Sequence, residues 1–346
     1  MKLSMPLAYD GSPRTAANQV AALERVGLDM VWVAEPYGFD APTLMGYLAA
    51  KTERVEIAAG ILNIFSRTPG TLLQTIAGID HLSGGRAVLG LGASGPQVIE
   101  GFHGIAFDRP VARTRELVDL IRRGLKRENL TSEGIFTLPL PADQGLGLGK
   151  PLRLLIRPER STVPIYVAAL GPKSVESAAE YADGWLPFLF HPEKAASVWG
   201  EALGRAAQRR PTDLAPLEVA AGGMVAIGED VKGALDLMRP TYALYVGGMG
   251  ARGKNFYNDL AVAYGYGDGA REIQDLYLSG HQREAAAKVP TEWLEAGNLV
   301  GPSSYVRERI AAFVEAGVTN LQVTPLSAEA GGDPAATIAQ VKEWIA

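Results

Sequence analysis
Short apolar runs and amphipathic segments take turns along this chain. Residues 3–8 read as a first buried strand, and Thr15 to Val26 carry apolar side chains at helical spacing. Gly27 can stop that helix, after which Met30-Val31-Trp32-Val33-Ala34 supplies a second strand buried on both faces. The pattern continues with a helix over 42–53, a strand over 55–61, a helix over 69–82 and a strand from Arg86 to Leu91. These strand starts fall about 25–31 residues apart, the stride of a parallel strand plus the helix that returns from it.

The second half keeps the stride with two interruptions. A helix from Val111 to Arg127 is followed by a Gly-, Pro- and Leu-rich excursion over 128–162, with room for a small hairpin, before the strand Val163 to Val167. Helices over 172–182 and 192–209 then alternate with strands over 184–190 and 217–227. An insertion over 241–300, with helical segments around 269–287 and 290–296, precedes a helix over 303–316 and a last strand over 319–323. Eight strand-helix units predict an α/β fold, a closed (β/α)8 TIM barrel with insertions after strands 4 and 7. The competing architecture, an open doubly wound sheet, would more often show a separate substrate domain or a dinucleotide loop at a strand-order switch.

Composition narrows the chemistry. With 346 residues and 47% hydrophobic positions the chain can bury a large core as one domain spanning 1–346. It has no cysteine, which excludes thiol nucleophiles, disulfides and Cys-ligated zinc or iron–sulfur sites. A net charge of -5 offers no broad attraction for nucleic acid. The start MKLSMPLAYDGS lacks a signal-peptide pattern and no apolar run is long enough to span a bilayer, so a cytoplasmic protein without a membrane partner is expected. Four scattered histidines, His81, His103, His191 and His281, lack metal-ligand spacing, and no metal is expected. Neither GxSxG nor GxxxxGK[ST] is present, which removes the usual marks of hydrolase and ATP chemistry.

Active sites of such barrels gather at the strand C-termini. Glu35 directly follows VWVA, where a carboxylate can hold or transfer a proton or can cap the next turn. Tyr37 and Phe39 can wall it, and Trp32 and Phe65 add aromatic surface or core. GILNIFSRTP, residues 60–69, places a glycine, Asn63 and Arg67 after the third strand, where a planar ring could be approached closely. SGGRAVLGLGASGPQ, residues 83–97, puts small residues and Ser94 after the fourth, without the spacing of a nicotinamide site. In VAALGPKSVESAAEYADGW, residues 167–185, Gly171 and Pro172 turn the chain, and Lys173 and Ser174 open a helix whose free amides suit a phosphate. The insertion VGGMGARGKNFYNDLAVAYGYG mixes glycine, aromatics and amides over the barrel mouth, fit for a substrate pocket or for subunit packing.

Taken together, SGGRAVLGLGASG, GILNIFSRTP and GPKSVESAAEYADGW resemble the bacterial luciferase-like superfamily, in its coenzyme F420-dependent oxidoreductase branch. The resemblance runs from the first strand to Gly228 and resumes at 298–324. It implies a single barrel domain that binds F420, or FMN in the alternative, across the strand C-termini, with a non-prolyl cis peptide at Gly60-Ile61. By the same resemblance Ile61 and Asn63 border the ring, Ser94 and Gly95 lie near the cofactor, Gly171, Pro172, Lys173 and Ser174 hold its phosphate, and Glu35 is the catalytic candidate.

Two positions depart from the branch's glucose-6-phosphate dehydrogenases: Pro36 stands where they carry a histidine, and Gly95 where they carry a glutamate. A sugar phosphate is therefore not the expected substrate. The implied reaction is hydride transfer between C5 of the deazaflavin and a small organic substrate, apolar or conjugated, in a protein that pairs as a homodimer. An FMN-dependent luciferase-like monooxygenase and a non-catalytic flavin-binding homologue are the alternatives.

Overall fold
The structure, a computed structural model, describes residues 1–8 and 12–346, the side chain of Glu329 apart. Eight parallel strands form its centre: β1 (Lys2–Pro6), β2 (Met30–Val33), β3 (Glu56–Ala59), β4 (Ala87–Gly92), β5 (Ile165–Ala168), β6 (Gly184–Leu186), β7 (Glu218–Ile227) and β8 (Asn320–Pro325). Each pairs with the next, and Leu3 opposite Leu321 joins β1 to β8, so the sheet closes on itself. The TIM barrel expected from the strand stride is the architecture found. Closure gives each of these eight strands a partner on both sides.

Eight helices return along the outside: α1 (Pro13–Arg25), α2 (Ala41–Lys51), α3 (Pro69–Ser83), α4 (Pro110–Leu125), α5 (Pro172–Tyr181), α6 (Pro192–Arg209), α7 (Ser303–Glu315) and α8 (Pro334–Ile345). Proline near the start suits a helix, because its missing N–H is one of the donors left unpaired there. Ser12, Asp40, Thr68 and Asp333 cap α1, α2, α3 and α8 by accepting from a first-turn amide.

Bulk and its absence set the barrel interior. Met30, Trp32, Ala58, Val88, Tyr166 and Ala220 form a small core inside the strands. Trp32 meets Tyr166 edge to face at 5.2 Å, and Gly184, paired with Tyr166, leaves room for that ring. The larger core lies between strands and helices.

The excursion after α4 contains a ribbon pairing Ser132–Glu133 with Thr137–Leu138. The insertion after β7 is mostly helical, and its strand Leu299–Gly301 lengthens the pairing of β7. Two expectations need correction. The sixth strand, expected over 184–190, ends at Leu186 because the chain turns, with Leu189 at φ 53°. The third, expected over 55–61, breaks at Gly60. Among the described residues no helix is long and apolar enough to cross a membrane.

Candidate active site
The break in β3 shapes the floor of the site. Ala58 pairs with Val88, yet the next pair is Leu62 with Leu91, so four steps on one strand match three on the other. That is a one-residue bulge. The Gly60-Ile61 peptide inside it is cis, as the resemblance implied. The bulge turns the Ala59 carbonyl onto Gly90, where a Cβ would overlap that oxygen, and lays Ile61 across Gly92, where a Cβ would come within 2.9 Å of Ile61 Cγ1. Both glycines of the LGLG run, residues 89–92, are thus demanded by the neighbouring strand.

A cavity of about 990 Å³ opens above this floor at the strand C-termini. Ile61, Gly92, Ser94, Gly95, Gly171, Pro172, Lys173 and Ser174 all line it. Ser94 holds φ 57°, a left-handed backbone rare for serine, and so turns the chain from β4 into the short helix Pro96–Gly101. At the other side of the cavity Gly171 caps α5 without a side-chain acceptor, so the amides of Lys173 and Ser174 open that helix free of intrahelical partners. The positive end of the helix and Lys173 therefore border the same space.

Three named residues stand outside the lining. Gly60 lies behind it, its Cβ position 3.1 Å from Trp32 Cβ. Asn63 is buried, accepts from the amides of Phe65 and Ser66 at 3.1 and 2.7 Å, and approaches His103 Nε2 at 3.4 Å. It fixes the loop after the bulge. Glu35 is held at both oxygens, taking 2.6 and 2.8 Å bonds from Arg67 and a 2.9 Å bond from the Ala41 amide. This carboxylate joins the second and third strand-end loops to the start of α2.

Of the aromatics named from sequence, Tyr37 lines the cavity, while Trp32 is inside the barrel and Phe65 packs on Phe107 at 5.2 Å. Thr114, Tyr181 and Phe188, which sequence reasoning did not single out, line it as well. Burial pushes the Tyr181 phenol up to about 12, so it stays a neutral donor. The insertion, flagged for its glycines and aromatics, contributes Gly248, Met249, Phe256 and Tyr257.

The sequence pattern of the luciferase-like monooxygenases matches residues 2–320. The chain belongs to that family. It is 40% identical to a putative coenzyme F420-dependent oxidoreductase of Mycobacterium tuberculosis, over 98% of this chain and 99% of the relative. A 5,10-methylenetetrahydromethanopterin reductase of Archaeoglobus fulgidus is 28% identical over 87% of this chain and 86% of its own. In fold, the luciferase-like chain resembles the coenzyme F420-dependent tetrahydromethanopterin reductase of Methanopyrus kandleri, with a TM-score of 0.79 and 22% identity, covering 99% of this chain and 97% of that one.

Proposed function
We propose that the protein is a coenzyme F420-dependent oxidoreductase that moves a hydride between C5 of the deazaflavin and a small organic substrate. The observation that carries the reading is the single cavity running from the Ile61–Gly92 floor to the free amides of α5. A planar ring needs a floor without projecting side chains, which Gly92 supplies. A phosphate diester needs donors and positive charge at a fixed point, which Lys173, Ser174 and the α5 dipole supply. The relative from Mycobacterium tuberculosis that is named for F420 supports the same assignment.

Within this reading Gly60, Ile61, Asn63, Ser94 and Gly95 form or support the ring end, and Gly171, Pro172, Lys173 and Ser174 hold the phosphate. F420, when bound, supplies a carbon-centred two-electron carrier. The protein's share is to hold substrate and ring in one desolvated space and to keep water from it. Glu35 enters as a positioning residue, since Arg67 and the Ala41 amide occupy its carboxylate.

The apolar lining favours an apolar or conjugated substrate. A homodimer acting in the cytoplasm belongs to the same proposal. Pairing is supported by the excursion, where Leu146 is 92%, Leu148 81% and Leu155 96% exposed.

Calorimetric titration of the apoprotein with F420, and with FMN in parallel, tests the reading. Saturable F420 binding with little FMN binding is expected. Preferential FMN binding would move the protein to the reduced-flavin monooxygenases, and binding of neither would leave a non-catalytic homologue.

A further inference from the structure
The cavity lining carries two different chemistries. Lys173 and the helix amides supply one, whereas Phe188 and the insertion residues Met249, Phe256 and Tyr257 supply an uncharged, largely apolar face, the insertion end. Lys173 is the one charged side chain among the described residues that line it. A carboxylate or phosphate carried into the insertion end would lose its water without gaining a countercharge, which is strongly unfavourable.

That end is also held rigidly. Tyr245 lies in a π-helical turn, Leu244–Gly248, whose Gly247 sits so close to Tyr277 that a Cβ would come within 2.6 Å of it. Asn255, fully buried, donates to the carbonyls of Tyr245 and Val246, both at 3.0 Å, and accepts from the Tyr257 amide at 2.9 Å. One amide side chain thus fixes the turn against the helix that bears Tyr257. The Tyr245 ring packs on Phe188 at 4.4 Å and on Tyr257 at 4.8 Å, bracing both against the cavity.

Polar partners are lacking at the tip of this wall. The Tyr257 hydroxyl has no hydrogen-bond partner among the described residues, and the half-buried side chain leaves it within reach of water, although the ring is packed and its amide is paired. Burial pushes the phenol up from its ordinary value, so it remains protonated and can only be a donor or a neutral acceptor. A donor served only by water, on an apolar and preorganised wall, suits a ligand whose ring oxygen takes that water's place.

We infer that the insertion end is the subsite of an uncharged, ring-bearing substrate, flanked by Phe188 and Tyr257, whose carbonyl or hydroxyl oxygen accepts a hydrogen bond from the Tyr257 hydroxyl. The inference rests on the oxidoreductase reading and names its substrate class. Calorimetry with 2-acetylnaphthalene, 2-naphthoate and naphthalene, three probes sharing one ring system, tests it on the protein with and without F420. The ketone binds, and the carboxylate binds at least about 100-fold more weakly because its charge goes unpaired. Tyr257→Phe weakens the ketone by about 3- to 10-fold, the worth of one neutral hydrogen bond, and leaves naphthalene unchanged. Phe188→Ala weakens ketone and naphthalene alike.

Equal affinity for ketone and carboxylate, no binding of the ketone, or an unaltered ketone affinity in Tyr257→Phe overturns the inference. F420 titration of the same preparations keeps the two questions apart. If the probe pattern holds while F420 fails to bind, the cofactor assignment falls and the subsite stands.

Discussion
Replacing Gly90 by alanine tests how far the bulge in β3 governs the site. A Cβ there would overlap the Ala59 carbonyl oxygen and lie 2.9 Å from its carbon, so one backbone must retreat from the other. Neither yields easily. The Gly60 amide donates to the Val33 carbonyl at 2.8 Å, and Gly90 sits in β4 between paired neighbours. Overpacking between two fixed backbones belongs at the upper end of its usual range, about 3 kcal/mol. In a chain of this size that lowers the melting temperature by roughly 4 °C.

The same displacement reaches the cavity, because Ile61 Cγ2 lies 3.5 Å from the added methyl. F420 affinity should therefore drop at least about tenfold, as a misplaced floor loses ring contacts. Gly92→Ala separates the two effects. Its Cβ meets the flexible Ile61 side chain at 2.9 Å and Ala168 Cβ at 3.3 Å, so stability falls by less than about 1.5 kcal/mol while the methyl still intrudes on the floor. Gly46→Ala, in α2 with nothing within 4 Å, should stabilise by about 0.5–1 kcal/mol. Thermal melts and F420 fluorescence titrations of the three variants give both readouts. A Gly90→Ala protein with unchanged melting temperature and affinity would refute the argument.

Three further expectations concern charge. Glu35 and Arg67 have side chains only 9% and 15% exposed, so Arg67→Ala leaves a buried carboxylate unpaired and costs about 3–5 kcal/mol in denaturant unfolding. Glu35→Gln should also destabilise; a variant with full stability and only a lowered kcat would instead make Glu35 a proton carrier. Lys173→Ala should weaken F420 by roughly 3- to 10-fold and flatten the salt dependence of binding, and an unchanged salt slope would place the phosphate elsewhere. Burial holds the His191 imidazole below its ordinary value, against the opposing pull of Glu193. The unfolded chain then binds the extra proton, so this group's contribution is full above about pH 6.5 and is lost as the pH falls below it. Melting temperatures from pH 7.5 to 5.5 should fall more steeply for the native protein than for His191→Gln, and parallel profiles would contradict the assignment.

What sequence alone determined follows from periodicity, which is local. A buried run such as Met30–Val33 declares a strand wherever it sits, and Gly27 or Pro69 marks a helix end by backbone chemistry that needs no partner. The eight units, the two excursions and the Gly171-Pro172 start of α5 were legible for that reason. Tertiary structure decided what depends on a neighbour. Whether Glu35 faces a substrate or Arg67 turns on two loops meeting, and the LGLG run of β4 owes Gly90 and Gly92 to a bulge on the adjacent strand. Phe188 looked like the interior of a longer sixth strand until the turn after Leu186 delivered its ring to the cavity, beside a Tyr257 that lies far along the chain. Distances along a sequence set which elements form, but only closure of the barrel sets which side chains share a space.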